Sequence, residues 1–213
     1  MVWNGLMGSI YRLCDWIMFL AYINFLWIIF TILGGGIFGI TPATSAMFAI
    51  IRKRLIRNDD TAIFKSYWIF YREVFIKMNI LGLLMLITGT LIYLNYTLIE
   101  FQNFIVNILF FVIILLTISI YTIISLYIFP VFVHFELTIF EAVKNSFLIG
   151  ILNPLRTVSM IFCLTAILIL FNLLPGLLLL FSGSLIGILL MSFAFQSFNQ
   201  VAKRKDKILS AKT

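Results

Sequence analysis

Residues 157–202 read TVSMIFCLTAILILFNLLPGLLLLFSGSLIGILLMSFAFQSFNQVA, without a single Asp, Glu, Lys or Arg. A helix needs about 20 apolar residues to cross the hydrocarbon core of a bilayer. This stretch holds enough for two. Asn172-Leu173-Leu174-Pro175-Gly176 divides it into a tight helical hairpin, because proline and glycine both interrupt helices. Lys203-Arg204-Lys205-Asp206-Lys207 follows at once as a basic tail. Two uncharged helices, a short turn and a cationic end describe a membrane hairpin.

The rest of the chain repeats that texture. Of its 213 residues, 63% are hydrophobic and 11% charged, with a mean hydropathy of +1.15. A soluble domain carries roughly 25% charged residues, and one of this size could not bury so much apolar side chain. The expected fold is an all-α polytopic membrane bundle, one domain over residues 1–213, with five transmembrane helices. The spans fall at about 16–38, 79–98, 104–129, 156–172 and 177–198. Cytoplasmic surface segments occupy 42–78 and 131–155, carrying amphipathic helices, and the basic tail covers 203–213.

The breaks between spans come from helix-weakening residues. Gly34, Gly35, Gly36, Gly39 and Pro42 are expected to end the first span, and Pro130 the third. In 62–77, Ile63, Tyr67, Phe70, Val74 and Met78 recur every three or four residues, with Lys65, Arg72 and Lys77 off that stripe. Such a pattern suits a helix lying in the membrane surface. Asn58-Asp59-Asp60-Thr61 reads as its turn and cap. Residues 1–13 place Trp3, Leu6, Ile10 and Leu13 on one helical face, which suits either an interfacial helix or an extension of the first span. Met1 to Cys14 lack the basic region of a secretory signal, so none is expected.

Charge sets the expected orientation. The net charge is +7, from 15 Lys and Arg against 8 Asp and Glu. Nearly all the basic residues flank apolar runs, so membrane orientation explains them better than a nucleic-acid partner. Cytoplasmic loops carry the Lys and Arg excess. With five spans, an outside N-terminus and a cytoplasmic C-terminus put every basic residue inside except Arg12. The expected location is therefore a cell membrane, multi-pass, N-out and C-in.

Three pieces of sequence point to a family. The stretch MGSIYRLCDWIMFLAYINFLWIIFTILGGGIFGITPATSAMFAIIRK, with FYREVFIKMNILG (residues 70–82) and FPVFVHFELTIFEAVKNSF (residues 129–147), resembles the YesL family of bacterial integral membrane proteins. The resemblance runs from Met7 to about Gln196. That family's molecular activity is unknown. Its members commonly sit, in Gram-positive bacteria, near genes for carbohydrate-uptake ABC transporters and two-component regulators. The resemblance thus implies subunits of such a transporter, or a sensor kinase, as partners.

Residues able to carry chemistry are sparse. Ionisable groups at bilayer depth are costly and usually functional, and no span has one at its middle. His134, the single histidine, sits two residues from Glu136 and could serve as a base or ligand. An interfacial imidazole reaching headgroup water is the plainer reading. Glu136 and Glu141 are off the i,i+4 spacing of a carboxylate pair. Cys14 and Cys163 have no CxxC spacing and read as unpaired thiols. No catalytic residue, cofactor site or metal site is expected, and the chain reads as non-enzymatic.

Other residues suggest contacts. Gly35 and Gly39, and Gly183 and Gly187, have the GxxxG spacing that lets helices approach. With Pro42 and Pro130 they are candidates for helix packing or hinges, and a homo-oligomer face stays open. Asn24, mid-span, suits an interhelical hydrogen bond or a neutral polar solute. Arg52, Lys53, Arg54 and Arg57, with Tyr67, Trp68 and Tyr71, are candidates for contact with anionic lipid or a protein partner. The expected function is an accessory or regulatory partner of a carbohydrate uptake system. The alternative is a small homo-oligomeric permease for a neutral polar solute.

Overall fold

The computed structural model describes residues 6–57, 62–98, 104–135 and 137–210, with side chains over 8–56, 62–98, 104–135 and 137–203. Seven helices occupy them: α1 (Leu6–Leu33), α2 (Ile37–Arg57), α3 (Ile63–Leu98), α4 (Phe104–Phe135), α5 (Ile139–Leu152), α6 (Pro154–Leu173) and α7 (Pro175–Ser210). Helices α1, α3, α4, α6 and α7 are long and apolar enough to cross a membrane. Large apolar side chains such as Leu98, Phe104 and Phe162 stay exposed on the outside, a surface suited to lipid. The fold is the expected all-α multi-pass bundle.

The glycine run ends α1 by a Schellman turn. The N–H of Gly36 donates to the Thr31 carbonyl at 2.9 Å and that of Gly35 to Ile32 at 3.0 Å, with φ of +80° at Gly35 and +73° at Gly36. Only glycine adopts that conformation cheaply, so this closure needs them. A side chain at Gly39 would put its Cβ 2.2 Å from the Thr31 carbonyl oxygen. The two helices therefore touch through backbone just beyond the turn.

From there α2 folds back along α1. Trp27 Nε1 donates to Thr44 Oγ1 at 3.0 Å, and Arg54 near the end of α2 pairs with Asp15 near the start of α1. The sequence expectation of a surface segment starting at Pro42 is corrected here. Helix α2 is the most enclosed element, packed against α1, α3, α4 and α7, with Ala43, Ala46, Met47, Ile50 and Ile51 buried. Pro42 lies inside it. A proline removes one i→i−4 hydrogen bond, and the surrounding helices hold α2 together across that gap.

Two further boundaries move. The expected surface helix over 62–77 and the second span are one helix, α3, of 36 residues. Its stripe of Tyr67, Tyr71, Val74, Met78 and Leu81 is buried against the neighbouring helices and does not face lipid. The Tyr67 hydroxyl donates to the Ala43 carbonyl at 2.7 Å and that of Tyr71 to Phe30 at 3.1 Å. Gly82, several turns on, meets Thr41, so α3 crosses α2 steeply. Pro130, expected to stop the third span, lies within α4, which continues to Phe135. The remaining prolines, Pro154 and Pro175, open α6 and α7, where no N–H is missed.

Asn24 ties α1 to α7. Its Nδ2 donates to the Leu179 carbonyl at 3.0 Å, and its Oδ1 accepts from the Gly183 N–H at 2.9 Å and the Ser184 N–H at 3.3 Å. Leu179 and Gly183 are an i,i+4 pair of one helical turn, so the carboxamide bridges both ends of a backbone hydrogen-bond position. Of the two readings of Asn24, this is the interhelical one. A Cβ at Gly183 would lie 3.2 Å from the Trp27 ring and 3.3 Å from the Asn24 oxygen. One at Gly187 would lie 2.9 Å from Ile51 Cδ1.

Two substitutions test these contacts. Gly39→Ala has no room against backbone, and the expected result is loss of folded protein after detergent extraction, read by size-exclusion chromatography. Asn24→Ala should lower stability by about 1 kcal/mol, near the upper range for interhelical hydrogen bonds in membranes. Thermal unfolding in detergent measures it.

Candidate functional site

The polar side chains gather at one pole of the bundle, where α1 and α6 begin and α2, α4 and α7 end. Arg54 falls on the same face of α2 as Ala43, Met47, Ile50 and Ile51, and is 4% exposed. A buried charge is costly unless paired. Its guanidinium lies 4.6 Å from the Trp16 ring centroid and 4.1 Å from that of Phe19, and its Nη2 bonds the Asp15 carboxylate. Asp15 is 47% exposed on its side chain, so the pair reaches water from the α1 side. Nearby, Arg156 Nη1 donates to the Gln196 carbonyl and joins the start of α6 to α7.

Arg52, two residues before Arg54, serves a different neighbour. Its Nε donates to His134 Nδ1 at 3.3 Å. The imidazole packs against Phe135 and Phe198, each at 4.7 Å between centroids. A lone pair already accepting from a guanidinium is not free to take a proton, so His134 is poorly placed as a general base. Glu136 lies outside the described residues. Glu141 accepts from the Thr138 hydroxyl at 2.7 Å and backbone N–H at 3.1 Å. Those bonds, the hydroxyl's first, hold its carboxyl below the usual carboxylate range and place it as the cap of α5. Among the described residues no three His, Cys, Asp or Glu side chains gather as a metal site, and Cys14 and Cys163 are free thiols.

Two cavities flank this machinery. A groove of about 340 Å³ opens between the ends of α2 and α4 and the start of α3, lined by Arg52, Lys53, Ile56, Ser66, Phe70 and Val133. It joins two cations to an apolar floor. A second crevice, about 290 Å³, lies deeper between α1, α2, α4 and α7 and is lined by Trp27, Thr44, Phe48, Ser125, Phe129 and Gly183, among others. Two of its hydroxyls donate locally, Thr44 to the Ile40 carbonyl at 2.7 Å and Ser125 to Tyr121 at 2.8 Å.

The residues proposed from sequence separate accordingly. Arg52 and Lys53 line the groove. Arg54, Tyr67 and Tyr71 are buried and correct the expectation that they contact lipid or a partner. Trp68 stays exposed, stacked on Tyr71 at 6.4 Å with Arg72 over its ring. The Arg57 side chain lies outside the described part, as do residues 58–61. Gly35 forms the turn, while Gly39, Gly183 and Gly187 sit at close helix approaches. The Arg54–Asp15 and Arg52–His134 pairs were not anticipated from sequence.

Comparison with known proteins places this architecture. Residues 20–96, which carry the glycine turn, α2 and the tyrosine stripe of α3, match the family described as "Protein of unknown function, DUF624". The chain is 37% identical over 184 residues to the uncharacterized protein YteU of Bacillus subtilis, covering 86% of this chain and 82% of that one. It is 31% identical over 204 residues to the uncharacterized protein YesL of the same organism, covering 96% of each. The chain belongs to this YesL-like family. YesV of Bacillus subtilis, 33% identical over 195 residues, covers 90% of this chain and 92% of its own length. No solved structure matches the chain. The YesL-like resemblance therefore holds over nearly the whole bundle, and both residues of the Arg54–Asp15 pair lie in it.

The two ends of that pair should respond unequally. Arg54→Met replaces the guanidinium by an apolar chain of similar length and leaves only the Asp15 carboxylate, which water already reaches, so its cost should be the smaller. Asp15→Ala leaves a buried guanidinium without its carboxylate and should cost about 2 kcal/mol, less than for a fully buried pair because Asp15 meets water. Thermal melts of both variants in detergent give the order.

Proposed function

We propose that this chain is a non-enzymatic membrane subunit that accompanies a carbohydrate uptake system of the ABC-transporter type, as an accessory or regulatory partner, and docks through its cationic pole. The observation that carries the reading is the groove at that pole, where Arg52 and Lys53 stand over an apolar floor. A groove of that kind suits an acidic protein segment with an apolar anchor. In support of a non-enzymatic role, His134 accepts from Arg52 and Glu141 accepts from the Thr138 backbone N–H at the start of α5. The choice of carbohydrate uptake rests on the genes that YesL-like proteins neighbour. Those neighbouring genes make a transporter subunit or a sensor kinase the expected partner, and a cell membrane the expected location.

A second reading is a homo-oligomeric permease for a neutral polar solute, favoured by the crevice beside Asn24 with Trp27, Thr44 and Ser125 on its walls. Uptake of a sugar into liposomes holding the purified protein alone would establish it.

Recovery of the protein at native expression in mild detergent tests the first reading. The expected result is a transporter or sensor-kinase subunit at comparable yield, falling at least tenfold in the doubly substituted R52E/K53E chain with its elution profile unchanged. Recovery without either class of subunit overturns it.

A further inference from the structure

Helix α2 contains four basic residues near its end, Arg52, Lys53, Arg54 and Arg57, and hydropathy alone does not mark it as a span. Its packing says otherwise. Hydropathy measures what a helix needs when lipid surrounds it, and α2 is surrounded by α1, α3, α4 and α7. It pairs with α1 in antiparallel register from Gly39 against Thr31, through Thr44 against Trp27, to Arg54 against Asp15. Any bilayer that α1 crosses between those levels is crossed again by α2. We infer that α2 is a sixth crossing and that the start of α1 and the end of α7 both lie on the cytoplasmic face.

The other helices agree on the direction. Gly183 meets Met47 and Gly187 meets Ile51, so α7 runs parallel to α2 and ends at the same pole. Phe48 stacks on Phe129 and Arg52 reaches His134, so α4 ends there too. The α1–α2 and α6–α7 turns at the opposite pole contain no Lys or Arg, and the sequence between α3 and α4 holds only Glu100 as a charge. Arg12, Arg52, Lys53, Arg54 and Lys203 lie at the first pole, and Arg156 reaches the Gln196 carbonyl there. Lys65, Arg72 and Lys77 are exposed on α3. Tyr71 reaches the Phe30 carbonyl and Gly82 meets Thr41, so Arg72 and Lys77 lie level with the α1–α2 turn.

The five-span, N-out arrangement left Arg12 on the wrong side of the membrane. With six crossings the exception disappears. Cytoplasmic segments carry the basic excess, and Arg12 then joins Arg52, Lys53, Arg54 and Lys203 on that side. This inference stands apart from the carbohydrate reading, since it concerns only which way the bundle sits.

The test uses the full-length chain with Cys14 and Cys163 replaced by serine and a peptide tag at each end. Ile37→Cys, at the exposed first residue of α2, should react with a membrane-impermeant maleimide on intact cells. Both terminal tags should resist protease until the cells are broken. An N-terminal tag digested in intact spheroplasts, or an Ile37→Cys thiol labelled only after lysis, overturns the sixth crossing. Leu174→Cys, outside in either arrangement, reports that the variant has inserted: labelled from outside while Ile37→Cys is not, it turns the result against the inference.

Discussion

In hydrocarbon there is no water to satisfy a polar group, so each one must find its partner on another helix or on its own backbone. That constraint organises the bundle around α2. The Tyr67 hydroxyl goes to the Ala43 carbonyl, the Trp27 indole to Thr44, and Arg54 to Asp15. Asn24 obeys the same rule between α1 and α7, where its amide closes on Leu179 and Gly183. Serines and threonines on the lipid side settle locally: Thr88, Thr117 and Ser159 each donate to the carbonyl four residues back. The links between helices lie inside the bundle, while these lipid-side hydroxyls bond their own helix.

The glycines make those links possible by distance. A side chain as short as Asn24 reaches the α7 backbone only where the helix axes come close, and Gly39, Gly183 and Gly187 occupy points where a side chain would intrude. In membranes there is no apolar transfer term to pull helices together, because lipid tails are as apolar as leucine. Close van der Waals contact and interhelical hydrogen bonds do that work. The bundle has both, concentrated on α1, α2 and α7.

Much of this was legible from residues 157–202 and the charge map. Five spans, the hairpin at Leu174-Pro175, the glycine break after α1 and the interhelical role of Asn24 all follow from composition and local geometry. What composition cannot express is enclosure. Four basic residues near the end of α2 read as a surface segment because the criterion assumes lipid on all sides. The signal that could have revealed it is positional: Arg54 shares a helical stripe with Ala43, Met47, Ile50 and Ile51, and Asp15 is the lone acid before residue 59. A charge on an apolar stripe, with one candidate partner an antiparallel helix away, is the mark of a buried ion pair. The same error merged the tyrosine stripe of α3 with lipid contact, since burial against helices and burial in lipid leave the same periodicity.

The prolines show why the spans were cut in the wrong places. A proline removes one backbone bond and clashes with the carbonyl four residues back, which ends an isolated helix. Pro42 and Pro130 are both buried between neighbours, and there the packing of the flanking turns outweighs the lost bond. Pro154 and Pro175 stand where a connection already exists, and there proline does mark the boundary. Proline alone thus carries half the information; whether the turns beside it are enclosed carries the other half. For α2 and α4 that enclosure decides more than helix length. It keeps Arg52 within reach of His134 and Arg54 within reach of Asp15, and so assembles the cationic pole from helices that sequence reading had placed apart.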